Sequence, residues 1–421
     1  MTARRLLGFM LLGLGLAIPL IYFSQPPDQS IEIITPPTPT RIVERLVPTA
    51  TSKGLIVASK TPLLSATPEN SITASKTALL SATPQNTAVA TVRSATIARP
   101  TATAHAPTPA PGTQASRTLY TTRQRFGVGV TSSISVPQNL TAIGAGWYLD
   151  WSTHAKPYGP ANLEFAQMVR LKDQQISPDL TTIAVIARQR PGALWLIGNE
   201  PDVPVQDNVT PPKYAAAYQA IYTALKAADP TSRVAIGGVT QPTPLRLQYL
   251  DLVLAAYREQ FGQAMPIDVW NVHNFILQEK RGDWGVDIPP GLSADAGTLY
   301  TIDDHDNLGI FRRQIIDFRR WLADRGYRNS ELIVSEYGIL MYTELGFPEE
   351  RVRNFMLATF DFFMTATDPA IGLPRDGNRL VQRWCWYSLS DTVYPTGNLI
   401  DRVSGQMTGL GQAYAAYIQS H

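Results

Sequence analysis

The chain has 421 residues and carries 36 Lys and Arg against 34 Asp and Glu, a net charge of +2. That near balance excludes a protein that binds nucleic acid through overall basic charge. The single cysteine, Cys385, excludes an intrachain disulfide framework, so any folded domain must stand on its apolar core.

Residues 1–23 read as a targeting element. Arg4 and Arg5 precede an apolar stretch from Leu6 to Phe23, close to the shortest that spans a bilayer. Arginines stay on the cytoplasmic side, so the rest of the chain is expected outside the cell membrane, held by a single-pass anchor. A cleaved signal peptide, and hence a secreted protein, is the rival reading; no small-x-small site follows Phe23, where Ser24-Gln25-Pro26-Pro27 stands.

Residues 24–119 are rich in Thr, Ser, Ala and Pro and poor in aromatic rings. The segment Ala58–Asn70 recurs, slightly altered, as Ala74–Asn86. Repeats that stack into solenoids are longer and more numerous. Such a composition cannot bury enough apolar surface to offset chain entropy, so an extended, disordered stalk is expected.

Residues 120–421 change character. Eight short apolar runs follow one another: Phe126–Val130, Gly144–Trp151, Glu164–Leu171, Ala193–Gly198, Arg233–Thr240, Ile267–Phe275, Leu332–Gly338 and Arg383–Leu389. Gly, Pro or Asp bound several of them, as they bound strands. Helical periods lie between the later runs. Thr210 and Pro211 form a cap and first-turn pair, and Tyr214, Tyr218, Ile221 and Leu225 share a face before Asp229-Pro230. Leu247, Leu250, Leu252 and Leu254 mark a second helix within 245–261. Residues 311–322, 352–363 and 409–418 repeat the pattern. Strands alternating with helices predict a parallel sheet, and eight of them predict an α/β fold of the (β/α)8 TIM-barrel type. The stretch 152–163 is rich in Pro and Gly and has no helical period, so the first half of the barrel should be reduced or irregular. A doubly wound sheet is the alternative, but no Gly-x-Gly-x-x-Gly motif is present.

Chemistry gathers at the carboxyl ends of the runs. The fourth breaks off in Gly198-Asn199-Glu200-Pro201-Asp202, the seventh in Glu336-Tyr337-Gly338. In a parallel barrel that face carries the active site. Two carboxylates there suit glycoside hydrolysis, with Glu200 as the acid/base and Glu336 as the nucleophile. A general acid working at neutral pH must keep its proton, through burial or a second carboxylate nearby. A single strand-end Glu is as often half of a salt bridge; two in matched positions weaken that reading. Asn199 offers donors and an acceptor to a sugar hydroxyl. His273 ends the sixth run and could bond a hydroxyl or the nucleophile. Trp386 in the eighth run, and Trp147 and Trp151 in the second, offer indole faces on which sugars pack, although such rings also fill cores. Cys385, between Trp384 and Trp386, reads as packing. Asp303-Asp304-His305-Asp306 reads as a solvated loop or helix start, not a metal site. No cofactor is expected.

The strand endings in Asn199-Glu200-Pro201 and Glu336-Tyr337-Gly338 resemble those of the clan A glycoside hydrolases, across about residues 125–415. The resemblance implies a retaining barrel enzyme, with the acid/base after strand four and the nucleophile after strand seven. By position it implies Asn199 and Glu200 as the Asn-Glu pair, Glu336 as the nucleophile, His273 as the strand-six histidine and Trp386 as the strand-eight tryptophan. Trp147 to Trp151, with the Gly-Asn-Glu-Pro-Asp and Glu-Tyr-Gly segments, is similar to the clan's beta-glucanase and fungal-wall-type barrels. One position departs: many members have His-x-Tyr on strand six, where this chain has Phe275. Tyr337 or Tyr387 would then have to supply the hydroxyl. The expected protein is a monomeric, membrane-anchored extracellular enzyme that acts on a polysaccharide or oligosaccharide. The alternative is a non-catalytic surface barrel that binds polysaccharide or a protein partner.

Overall fold

The structure is a computed structural model that describes residues 118–131 and 136–421. The expected anchor and nearly all of the expected stalk lie outside these residues. Among the described residues no helix is long and apolar enough to cross a membrane.

Nine strands form one sheet: β1 (Phe126–Gly129), β2 (Trp147–Leu149), β3 (Glu164–Phe165), β4 (Gln167–Val169), β5 (Leu194–Asn199), β6 (Arg233–Gly238), β7 (Val269–His273), β8 (Glu331–Gly338) and β9 (Arg383–Tyr387). Their order is β3-β2-β1-β9-β8-β7-β6-β5-β4. Every pairing within it is parallel. The two ends of that order are consecutive in the chain, separated only by Ala166, whose N–H bonds Tyr148 O at 2.9 Å. β3 and β4 are thus one kinked stave, and the sheet closes into a barrel of eight staves that match the eight apolar runs.

The helices are α1 (Thr122–Arg125), α2 (Val136–Ile143), α3 (Leu180–Gln189), α4 (Pro211–Ala228), α5 (Pro244–Phe261), α6 (Leu308–Asp324), α7 (Glu349–Thr365) and α8 (Gly409–Ser420). The last five sit where the periodicity places them. α2 and α3 are short and are not among the expected helices, although Val136, Leu140 and Ile143 in the one and Ile183, Ile186 and Ala187 in the other recur at helical spacing. No helix lies between β2 and β3, as the Pro/Gly content of 152–163 predicts. The barrel is therefore slight on one side rather than lacking staves.

Strand side chains alternate between two cores. Trp147, Leu149, Trp151, Ala166, Met168, Leu194, Leu196, Ala235, Val269, Ile333 and Cys385 fill the barrel interior. The alternate residues, such as Trp195, Ile197, Val334, Trp384 and Trp386, face the helical layer. There Trp384 stacks on Phe363 of α7 at 5.1 Å. α5 turns a different face inward than its leucines suggest. Arg246, Tyr249, Leu250, Val253 and Tyr257 are buried, while Leu252 is 40% exposed.

Buried ion pairs stitch the staves together. Arg125, at the entry to β1, makes a forked pair with Asp376 at 2.7 and 2.9 Å and bonds Gln382 O at 2.9 Å. Arg246 of α5 joins Asp202 at 2.6 Å and also pairs with Glu279. All three of those side chains are fully buried.

Candidate active site

The carboxyl ends of β5, β7 and β8 bring Glu200, His273 and Glu336 together. One polar atom from each lies within 4.8 Å of the others. His273 Nδ1 is 3.0 Å from Glu200 Oε1, and its Nε2 is 3.9 Å from Glu336 Oε2. The imidazole is 1% exposed and the two carboxylates 9% and 12%.

Each carboxylate is placed by a local device. β5 runs Leu194 and Leu196 into the interior, then kinks at Gly198, where φ is +88°, one residue before the strand ends at Asn199. Glu200 itself has φ +42°, a left-handed backbone uncommon for a residue with a side chain. Its N–H still bonds Gly238 O at 3.1 Å, which keeps the turn against β6. Asp207 fastens the same turn, its carboxylate accepting from Asn199 N at 2.8 Å, Leu171 N at 2.8 Å and Arg170 Nε at 2.7 Å.

Glu336 is aimed by a bulge in β8. Val334 lies opposite Trp384, yet Tyr337 lies opposite Trp386, so β8 holds one residue more than β9 over this span. Strict alternation from the interior Ile333 would send Ser335 and Tyr337 inward and Glu336 outward. The extra residue reverses this, a recognised use of bulges beside functional sites. Glu336 enters the barrel, and Tyr337 turns out to accept from Thr359 Oγ1 at 3.3 Å. Trp151, which follows β2 with φ +58°, donates its indole N–H to Glu336 Oε2 at 2.9 Å.

His273 needs space that only glycine leaves. A Cβ at Gly238 would lie 2.5 Å from His273 Cδ2 and 2.8 Å from its Nε2.

Glu336 is pushed up to about 7. Burial is the largest cause, opposed by His273 and reinforced by Glu200, while the Trp151 hydrogen bond and Arg170 favour the anion. Burial works against charge on His273, but Glu336 and Glu200 outweigh it and raise the imidazole above its usual range. The group pushed up is the carboxylate read as the nucleophile, so its anion forms only above about 7.

The remaining sequence-predicted residues divide. Asn199 is 3% exposed, and its Oδ1 has no hydrogen-bond partner among the described residues. Trp151 is in the site. Trp147 is not: it begins β2 instead of ending it, so it plugs the opposite end of the interior. There the Arg383 guanidinium covers it at 4.7 Å and its N–H bonds Arg125 O at 3.3 Å. Trp386 is not a sugar platform either. Its parity sends it outward, fully buried, against Tyr337 at 5.3 Å and Phe360 at 6.4 Å, with its N–H on Gly397 O at 2.8 Å. The ring that β9 turns toward the site is Tyr387, 5.7 Å from Trp151. Burial raises its hydroxyl well above the usual range, with the charges of Asp391 and Glu336 adding to the effect. Of the two hydroxyls considered in place of a strand-six tyrosine, Tyr387 is therefore on the correct side. Phe275 is buried in the outer core. Arg170, just past β4, is the residue that motif reading missed; only its place at the end of a run signals it.

The Asp303–Asp306 segment makes structural bonds. Asp304 caps a short turn through Thr301 N at 2.8 Å, and Asp306 pairs with Arg351 Nε at 2.6 Å.

No family model and no curated protein matches the chain. Among solved structures it is similar to a GH128 (subgroup II) endo-beta-1,3-glucanase from Pseudomonas viridiflava, at 20% identity over 69% of this chain and 97% of that one, with a TM-score of 0.47. A GH128 (subgroup III) curdlan-specific exo-beta-1,3-glucanase from Blastomyces gilchristii, in complex with glucose, matches at 20% identity over 70% and 99%, with a TM-score of 0.46. A GH128 (subgroup I) endo-beta-1,3-glucanase from Amycolatopsis mediterranei, in complex with laminaritriose, matches at 18% identity over 70% and 99%, with a TM-score of 0.45.

Proposed function

We propose that this chain is a clan A-type retaining glycoside hydrolase that acts on an extracellular or cell-surface glycan. One observation carries the reading: polar atoms of Glu200, His273 and Glu336 lie within 4.8 Å of one another at the carboxyl face of the barrel. Retaining enzymes hold their carboxyl groups about 5–5.5 Å apart, and inverting enzymes about 6.5–9.5 Å apart to admit a water.

In this reading Glu336 attacks the anomeric carbon while Glu200 protonates the departing glycosidic oxygen. Glu200 then takes a proton from water as that water releases the sugar from Glu336. Trp151 and Arg170 favour the anion that the attack requires. His273, with one nitrogen facing each carboxylate, keeps them in register. Asn199 supplies an unpaired acceptor for a sugar hydroxyl, and Tyr387 with Trp151 the aromatic wall. The Leu6–Phe23 stretch would hold the barrel at the outer surface of the membrane, a placement that fractionation of intact and protease-shaved cells would check.

The test is a hydrolysis screen on soluble and insoluble polysaccharides. It includes β-1,3-glucans, on which the glucanases named above act. The anomer first released is read by NMR. A retained anomer is expected; an inverted one, or no turnover on any glycan, removes the proposal.

A further inference from the structure

We propose that His305 is a positioning residue that holds the strand ends bearing His273 and Glu336 at their working separation. His305 belongs to the acidic segment that the site chemistry leaves unused. It is 1% exposed, and both ring nitrogens are committed. Leu340 donates its backbone N–H to Nε2 at 2.9 Å, and Nδ1 lies 2.9 Å from Ile276 O. An N–H aimed at Nε2 requires a lone pair there, so the proton must sit on Nδ1, where it meets the carbonyl. The ring is thus a neutral imidazole in one tautomer.

Its partners make it more than a core residue. Ile276 follows His273 by three residues, and Leu340 follows Glu336 by four. The ring therefore ties together the two segments that follow His273 and Glu336, the groups whose spacing the chemistry needs. The tie is itself anchored. Asp306, next in sequence, pairs with Arg351 of α7, and Phe347 meets the ring edge-on at 6.0 Å. Asp306 from the same loop and Arg351 from α7 are the charged groups that act on His305; burial is the largest influence and pushes it down to about 4. A proton on Nε2 would face the Leu340 N–H and open the clamp.

Kinetics and histidine NMR on the full chain test this. His305→Phe keeps the ring and loses both bonds. Small misplacements of reacting groups can cost about a hundredfold in rate. kcat is therefore expected to fall roughly 10- to 100-fold with KM nearly unchanged, and the His273 imidazole signals should shift. His305→Asn and His305→Gln each retain one bonding position and should recover part of kcat. In the unmodified protein the acid limb of kcat should steepen as His305 titrates, with His273 shifting in the same step; this arm decides if no variant folds. Variants that lose thermal stability but keep normal kcat, pH profile and His273 signals overturn the proposal, as does a His305 titration that leaves kcat and His273 unmoved. The kinetic arm rests on the glycosidase reading. If the unmodified protein turns over no glycoside, that reading fails alone, and the His273 signals still decide for His305.

Discussion

The indole N–H of Trp151 donates to Glu336 Oε2 at 2.9 Å, from a left-handed backbone position at the end of β2. The bond is made to an atom that must be anionic to attack. A hydrogen bond to a charged group contributes about 1.5–3 kcal/mol. At about 1.4 kcal/mol per pH unit, Trp151→Phe should move the acid limb of kcat/KM upward by about one to two units. Activity well above the limb should fall much less than activity below it. An unmoved limb with uniformly lower activity would mean that Trp151 serves only as a wall.

Gly238 gives a steric test of His273. Its φ is not in the left-handed region, so alanine is acceptable to the backbone, yet its Cβ would stand 2.5 Å from the imidazole. Gly238→Ala must displace the ring from between the carboxylates. The fold should survive, because the ring is a side chain at the rim of the core, while kcat falls tenfold or more. A crystal structure of the variant should show the Nδ1 contact to Glu200 lengthened. Normal activity with the imidazole displaced would remove His273 from the machinery.

Stability should carry the signature of Glu336. Its folded value, about 7, lies above its ordinary 4.5, so the folded state holds a proton that the unfolded state releases across that window. Bound protons favour the folded state as pH falls, so this contribution weakens as pH rises from about 4.5 to 7. His273 is also raised, so its contribution is present below its ordinary value and is lost above it. The two act in one direction. Relative to Glu336→Gln, the unmodified protein should be most favoured near pH 4.5 and lose up to about 3 kcal/mol of that advantage by pH 7.5. Denaturant titrations of both proteins at several pH values measure the difference. A gap that stays constant with pH would show that Glu336 keeps its ordinary affinity for protons.

Period and position in the sequence were enough to find the barrel. Every apolar run became a stave, because a buried parallel strand needs little more than a short apolar stretch with clean ends. The carboxylates were legible for the same reason: a run that stops in Asn199-Glu200 announces a strand end. Orientation was not legible. Trp384 and Trp386 share a face, but nothing local says which face is inner, and closure of the sheet decides it. Trp147 looked like the end of its run when it is the beginning, which moves it to the far end of the barrel interior. Glu336 points inward only through a bulge that shows in the register with β7 and β9 and not in the composition. Leucines mark α5 in the sequence, yet of Leu247, Leu250, Leu252 and Leu254 only Leu250 is fully buried, and it shares the inward face with Tyr249, Val253 and Tyr257. The Tyr249 hydroxyl bonds Val209 O at 2.6 Å.

The two glutamates should differ in how they fail. Glu336→Gln keeps the size and hydrogen bonding of the side chain but removes the anionic nucleophile. Turnover should vanish on every substrate while folding and sugar binding remain. Glu200→Gln removes only proton transfer. Glycosides with activated aryl leaving groups need no acid, so they should still form the glycosyl-enzyme in a burst. Release should then stall, because no base activates water, and azide, which needs no base, should restore the rate and leave a glycosyl azide of retained configuration. Neither variant assigns the roles alone; the contrast between them does. If azide rescue that leaves a glycosyl azide of retained configuration appears with Glu336→Gln instead, the two residues exchange roles. If Glu336→Gln retains near-normal turnover, the nucleophile is another group and the retaining pair proposed for this site is wrong.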